Sequence, residues 1–208
     1  AMTNEIMNAL GRRMPTRVGN YEIIPYQGQF KRPPPHYKVP TPPGFIRPGE
    51  DKLLTDLQEV IKKVGLKDGM TISFHHHLRT GDYVVNMVMD TIADMGFRNI
   101  RLAPSALFPN HEPLVEHIRS GVLTAIEGSC NGPVGDAASH GLLPEPVVLR
   151  SHGGRVRAIQ MGDIHVDVAF IAAPAADIYG NANGLLGPSR CGPLAYSHVD
   201  AEYADKAV

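Results

Sequence analysis

Val166-Asp167-Val168-Ala169-Phe170-Ile171-Ala172 is the stretch on which the fold turns. A short, nearly unbroken apolar run fits a strand buried on both faces, the pattern of a parallel sheet covered by helices. Working back from it, Leu53, Leu54, Leu57, Val60, Ile61 and Val64 recur at spacings of three and four, which predicts a helix over 51–64 closed by Gly65. Val84, Val85, Val88, Met89 and Ile92 do the same over 82–95, with Gly96 as the stop. Residues 70–74, 99–102, 123–126 and 147–150 read as strands. Residues 111–119 and 134–140 read as further helices ending at Gly121 and Gly141. Strands separated by helices of this length predict right-handed βαβ units. The expected class is therefore α/β, an open, mostly parallel sheet with helices on both faces. Residues 201–208 begin as a helix and finish like the start of another strand, so the chain is expected to stop inside a longer protein.

The 208 residues suit one α/β domain preceded by an arm. Half of the 18 prolines lie before residue 50, and Pro33, Pro34, Pro35, Pro40, Pro42, Pro43 and Pro48 crowd one stretch. Fixed φ angles and missing N–H donors favour polyproline II there. The predicted division is an extended arm over 1–50 and an α/β domain over 51–208. The arm carries seven Lys or Arg against three acids, which suits docking to a partner, or it is an inert extension. A formal charge of −1 gives no electrostatic grip on nucleic acid or an anionic membrane. No apolar run approaches the ~20 residues of a membrane helix. Cys130 and Cys191 are too few for a disulfide framework, so the expected compartment is the cytoplasm.

In open parallel sheets, ligands bind beyond the carboxyl ends of the strands. The loops expected there combine glycine with polar or imidazole groups: His75-His76-His77-Leu78-Arg79, the loop with Ser105, Ser129-Cys130-Asn131-Gly132, Ser151-His152-Gly153-Gly154-Arg155, and Asp177-Ile178-Tyr179-Gly180-Asn181. Glycine lets backbone N–H groups approach an anion, and imidazole and guanidinium donate to carboxylates. The candidate binding residues are thus His75, His76, His77, Arg79, Ser105, Asn131, Gly132, His152, Gly153, Gly154, Arg155, Gly180 and Asn181. Glycine and proline serving only as turn formers is the plainer alternative. His75 and His77 alternate onto one side of a strand end and could share a metal in a hydrolase. The other histidines sit at no diagnostic ligand spacing, and no metal is expected to be required. Glu127, at a strand end, is the best placed acid for a nucleophile or base, and structural roles for such a group are common.

Taken in order, Ile72-Ser73-Phe74-His75-His76-His77-Leu78-Arg79, Gly81-Asp82-Tyr83-Val84-Val85-Asn86, Leu114-Val115-Glu116-His117-Ile118-Arg119, Asn131-Gly132-Pro133-Val134-Gly135, His152-Gly153-Gly154-Arg155 and Asp163-Ile164-His165-Val166-Asp167 resemble the citrate lyase alpha-subunit family, the citrate CoA-transferase component. Ala176-Asp177-Ile178-Tyr179-Gly180-Asn181 is similar to a loop of the wider family of two-half CoA-transferases. The resemblance implies exchange of acetate for citrate on a thioester. The thiol would belong to a CoA-like prosthetic group on an acyl carrier (gamma) subunit, and a beta subunit would then cleave the citryl thioester. It also implies an oligomeric assembly and a nucleophilic glutamate in a Glu-Asn-Gly context, which does not occur in these 208 residues. That glutamate is expected beyond Val208, leaving this chain as the first half of the protein and inactive alone. The other classes left open are the His75-x-His77 metal hydrolase and a non-catalytic assembly module docked through the arm.

Overall fold

The computed structural model describes residues 4–18, 21–28, 37–42, 44, 47–75 and 78–208, with backbone only at Tyr21 and Arg79. Ala1–His36 and Tyr37–Val208 form separate units. In the first, β1 (Glu5–Met7) pairs antiparallel with β2 (Arg13–Pro15), and β3 (Arg17–Val18) with β4 (Tyr21–Glu22). Before residue 29, within the stretch read as an arm, the chain thus forms two short antiparallel strand pairs. Much of the proline-dense stretch lies outside the described residues. Residues 37–42 run over the second unit, where Lys38 N donates to the Gln160 carbonyl and Thr41 N to that of Glu202, each at 2.8 Å.

The second unit runs α1 (Leu57–Val64), β5 (Thr71–His75), α2 (Val84–Asp94), β6 (Ile100–Pro104), α3 (Leu114–Arg119), β7 (Leu123–Gly128), α4 (Gly132–Ser139), β8 (Val148–Leu149), α5 (His152–Gln160), β9 (Val168–Ile171), β10 (Ala175–Ala176), β11 (Ala182–Asn183), α6 (Ser197–Tyr203) and β12 (Lys206–Ala207). Single 3-10 turns lie at Arg79–Gly81 and Pro109–His111. Six strands form one sheet in the order β12-β9-β5-β6-β7-β8, every neighbouring pair parallel, as the expected class requires.

Side-chain alternation sorts this sheet into two unlike faces. Ile72, Phe74, Leu102, Ile126, Val168 and Phe170 point to the layer of α1 to α4, where the Phe74 and Phe170 rings stack with centroids 5.4 Å apart. On the other face the sheet offers small groups, Ala103 and Ala169, against Ala158, Ile159, Val199 and Ala204 of the α5–α6 side. The crossover from edge strand β8 back to β9 carries α5 to this second face, as right-handed connections demand.

Two sequence expectations move. The first helix starts at Leu57, not residue 51, because Asp56 caps it by accepting from Gln58 N at 2.9 Å. The expected loop at 151–155 is the start of α5. Ser151 Oγ accepts from Gly154 N at 3.1 Å, and Arg155, Ala158 and Ile159 turn inward at helical spacing.

Candidate functional site

The sheet order reverses at β5, whose chain continues to β6 on one side while β9 lies on the other. The crevice beyond the carboxyl ends of β5 and β9 is the switch point of the sheet. Alternation turns His75, like Ser73, toward the face of α5 and α6. Both of those helices start at this rim. The Tyr196 ring, just before α6, lies 6.2 Å from the His75 ring in a T-shaped contact, and 5.9 Å from the ring of His152, the first residue of α5. Three elements thus bring three rings together. His75 is only 5% exposed and forms the back of the cluster, whereas His152 is exposed and Tyr196 is 41% exposed.

Backbone geometry fixes Tyr196. Ala195, directly before it, holds a left-handed φ of 48°. That conformation is uncommon away from glycine, and such outliers cluster where a site depends on them. The turn is tied by Ser197 Oγ donating to the Leu194 carbonyl at 2.7 Å and by the His198 Nδ1 contact with the Ala195 carbonyl at 2.7 Å.

The neighbouring rim loops are locked to one another. Ser105, buried, donates its N–H to the Phe74 carbonyl. Asn110 Nδ2 donates to the Asp82 carbonyl at 2.7 Å and Asn86 Nδ2 to that of Asn110 at 2.8 Å. Phe108 N donates to His111 Nδ1 at 2.9 Å. Leu107 N donates to the Ser129 carbonyl, joining the loops after β6 and β7. Asn131 is exposed and Gly132 half-buried against Pro109.

Of the remaining expected residues, Gly153 is exposed and Gly154 half-buried in the first turn of α5. Gly180 and Asn181 lie in the turn of the β10–β11 hairpin. Asn181 donates to Asp177 through its side chain and backbone, and these bonds, the side-chain one foremost, hold the Asp177 carboxyl below its usual range. His76 and His77 lie outside the described residues, as does the Arg79 side chain.

Arg155 requires a correction. It was expected to grip an anion at the mouth, but its guanidinium is buried beneath α6. It donates to Asp200 Oδ1 at 2.7 Å and Oδ2 at 2.6 Å, and to the Ala103 carbonyl at 2.8 Å. Glu127 pairs through Oε1 with both Nε and Nη2 of Arg150, a structural role.

Among the described residues, the one group of three side chains spaced to hold a metal is His165, Asp167 and Asp205. It lies at the amino end of β9, away from the switch point. Lys38 already sends its ammonium there, 3.2 Å from His165 Nδ1 and 3.7 Å from Asp205 Oδ1. A cavity of about 750 Å³ between α3 and α4, bordered by Glu112, Glu116, Arg119 and Asp136, shares no residue with the ring cluster.

Comparison with known proteins matches residues 50–208 to the family described as citrate lyase, alpha subunit. The chain belongs to that family. The citrate lyase alpha chain of Haemophilus influenzae is 54% identical over 172 residues, covering 82% of this chain and 34% of that one. Its Escherichia coli counterpart is 54% identical over 158 residues, or 76% and 31% of the two chains. A crystal structure described as the alfa subunit of citrate lyase in complex with citrate, from Streptococcus mutans, has a TM-score of 0.81 at 50% identity. That match covers 86% of this chain and 36% of that one. The chain therefore spans about a third of the length of these citrate lyase alpha relatives.

Within this citrate lyase alpha-family chain, Tyr196 is the site group that sequence reading missed. It sits in no expected loop, and no periodicity marks it. Cys130, on the rim loop after β7, is half-buried, and burial pushes its thiol up to about 11. Thiolate is the reactive form, so alkylation of Cys130 by iodoacetamide at pH 8 is expected to run well over tenfold slower than that of a free thiol. Its rate should rise steeply between pH 9 and pH 11. Mass spectrometry of timed digests checks this.

Proposed function

We propose that this chain forms the citrate-binding wall of a citrate CoA-transferase site, the alpha-subunit component of citrate lyase. The supporting observation is the convergence of His75, Tyr196 and His152 at the switch point, in a chain of this family. A carboxylate at that point meets exposed imidazole and phenol donors beside the first turn of α5. His76, His77 and Arg79, continuing from β5, are proposed to complete the donors.

The reaction exchanges acyl groups: citrate plus an acetyl thioester gives a citryl thioester plus acetate. The thioester is carried by a CoA-like prosthetic group on an acyl carrier subunit, and a beta subunit cleaves the product. A glutamate nucleophile that forms an acyl anhydride divides one difficult displacement into easier ones. Glu127 does not suit that task, because its carboxylate is engaged by Arg150. The nucleophile belongs to the part of the protein beyond Val208. Assembly into an oligomer and a cytoplasmic location complete the reading; among the described residues, no helix is long and apolar enough to cross a membrane.

The test uses the purified 208-residue chain with citrate and an acetyl-thioester carrier. Citrate is expected to shift the amide resonances of residues 151–154 and 195–197, with no thioester exchange above background. Exchange that is abolished by Glu127→Gln would place the nucleophile in this chain and overturn the assignment.

A further inference from the structure

We propose that Tyr196 is a ligand-contacting residue of the carboxylate site, its phenol O–H donating to a carboxylate oxygen, with the His75 and His152 rings holding it in place. The inference rests on the reading of the switch-point crevice as a carboxylate site.

Four observations carry it. His75, 5% exposed, has little surface left for a ligand, whereas Tyr196, packed edge-on against it, is 41% exposed. Tyr196 therefore offers more open surface than the imidazole that sequence reading aimed at the ligand. Its hydroxyl makes no hydrogen bond among the described residues, which leaves the O–H open to solvent or to a ligand's oxygen. Its ring is held on two sides by rings 5.9 and 6.2 Å away, within the range of favourable aromatic pairs. The left-handed backbone at Ala195 and the two short bonds of the Leu194–Ser197 turn are spent on a side chain that enters no core cluster among the described residues. His152, beside the phenol and exposed, is placed to donate to the same anion, which makes a two-donor grip.

The experiment is a citrate titration of the full 208-residue chain followed by NMR, on wild type and Tyr196→Phe. The phenylalanine variant keeps the ring and its packing and removes only the O–H. Its citrate affinity is expected to fall about tenfold or more, because the lost bond goes to a charged acceptor. The citrate-free imidazole resonances of His75 and His152 should stay in place, which a packing defect would not allow. As a check that needs no substitution, the ring Cζ resonance of wild-type Tyr196 should move along the same isotherm as the amides. Equal affinity of the two proteins, or a Cζ resonance unmoved at saturation, overturns the inference and leaves the citrate reading intact. A wild-type chain whose spectrum citrate does not change overturns both.

Discussion

Arg155→Ala is expected to destabilise this chain by about 3–5 kcal/mol, a large fraction of the ~5–15 kcal/mol that holds an ordinary domain together. The side chains of Arg155 and Asp200 are 2% and 1% exposed, and they meet as a two-bond fork. Removing the guanidinium strands a carboxylate inside the layer of α5 and α6 and frees the Ala103 carbonyl as well. Asp200→Ala should cost a similar amount, because it strands the cation instead. The double change Arg155→Met with Asp200→Leu removes both charges and should recover most of the loss, since the pair's attraction largely offsets its own desolvation. Urea unfolding followed by circular dichroism reads all four proteins. A single variant within about 1 kcal/mol of wild type would show that the pair is solvated. Because α5 and α6 carry His152 and Tyr196 to the rim, the single variants should also weaken the response to citrate.

Gly128→Ala is also expected to be strongly damaging, at about 3 kcal/mol. Gly128 ends β7 beside Pro104, which ends β6, and a Cβ at Gly128 would sit 2.0 Å from the Pro104 carbonyl oxygen. That neighbour is backbone in the centre of the sheet and cannot rotate away, so the two strand ends must part. The loops that follow are joined by the Leu107 N–H bond to the Ser129 carbonyl, and the strain should reach both. Thermal unfolding should show a lower midpoint, with amide shifts concentrated at 104–109 and 128–132. A variant that melts with wild type would mean that β6 and β7 can separate without cost.

The sheet was legible because its strands carry their signal locally. The run from Val166 to Ala172 is apolar without a break longer than one residue, and the helical stripe over Val84–Asp94 needs no distant partner to be recognised. The helix α5 was not legible for the same kind of reason. Gly153 and Gly154 weaken its intrinsic preference, and what sustains it is a serine cap and a buried ion pair to a residue 45 positions onward. That long-range partner is also why Arg155 reads as an anion-binding fork when taken alone. The citrate lyase alpha resemblance was carried by contiguous motifs such as the histidine run and is matched across residues 50–208. His152 was a candidate from its loop chemistry. Tyr196 depends on a left-handed backbone at Ala195 and on two rings from other elements, and one-dimensional spacing contains neither.

The unequal faces of the sheet have a consequence for how the mouth responds to change. Where Ala103 and Ala169 meet Ala158, Ile159, Val199 and Ala204, the helices rest on the strands through small side chains. A bulkier residue on that floor would lift both helices together. His152 and Tyr196 would then be carried outward over a strand end that had not moved. The aperture offered to a guest molecule is thus calibrated from underneath, by side chains that never meet it.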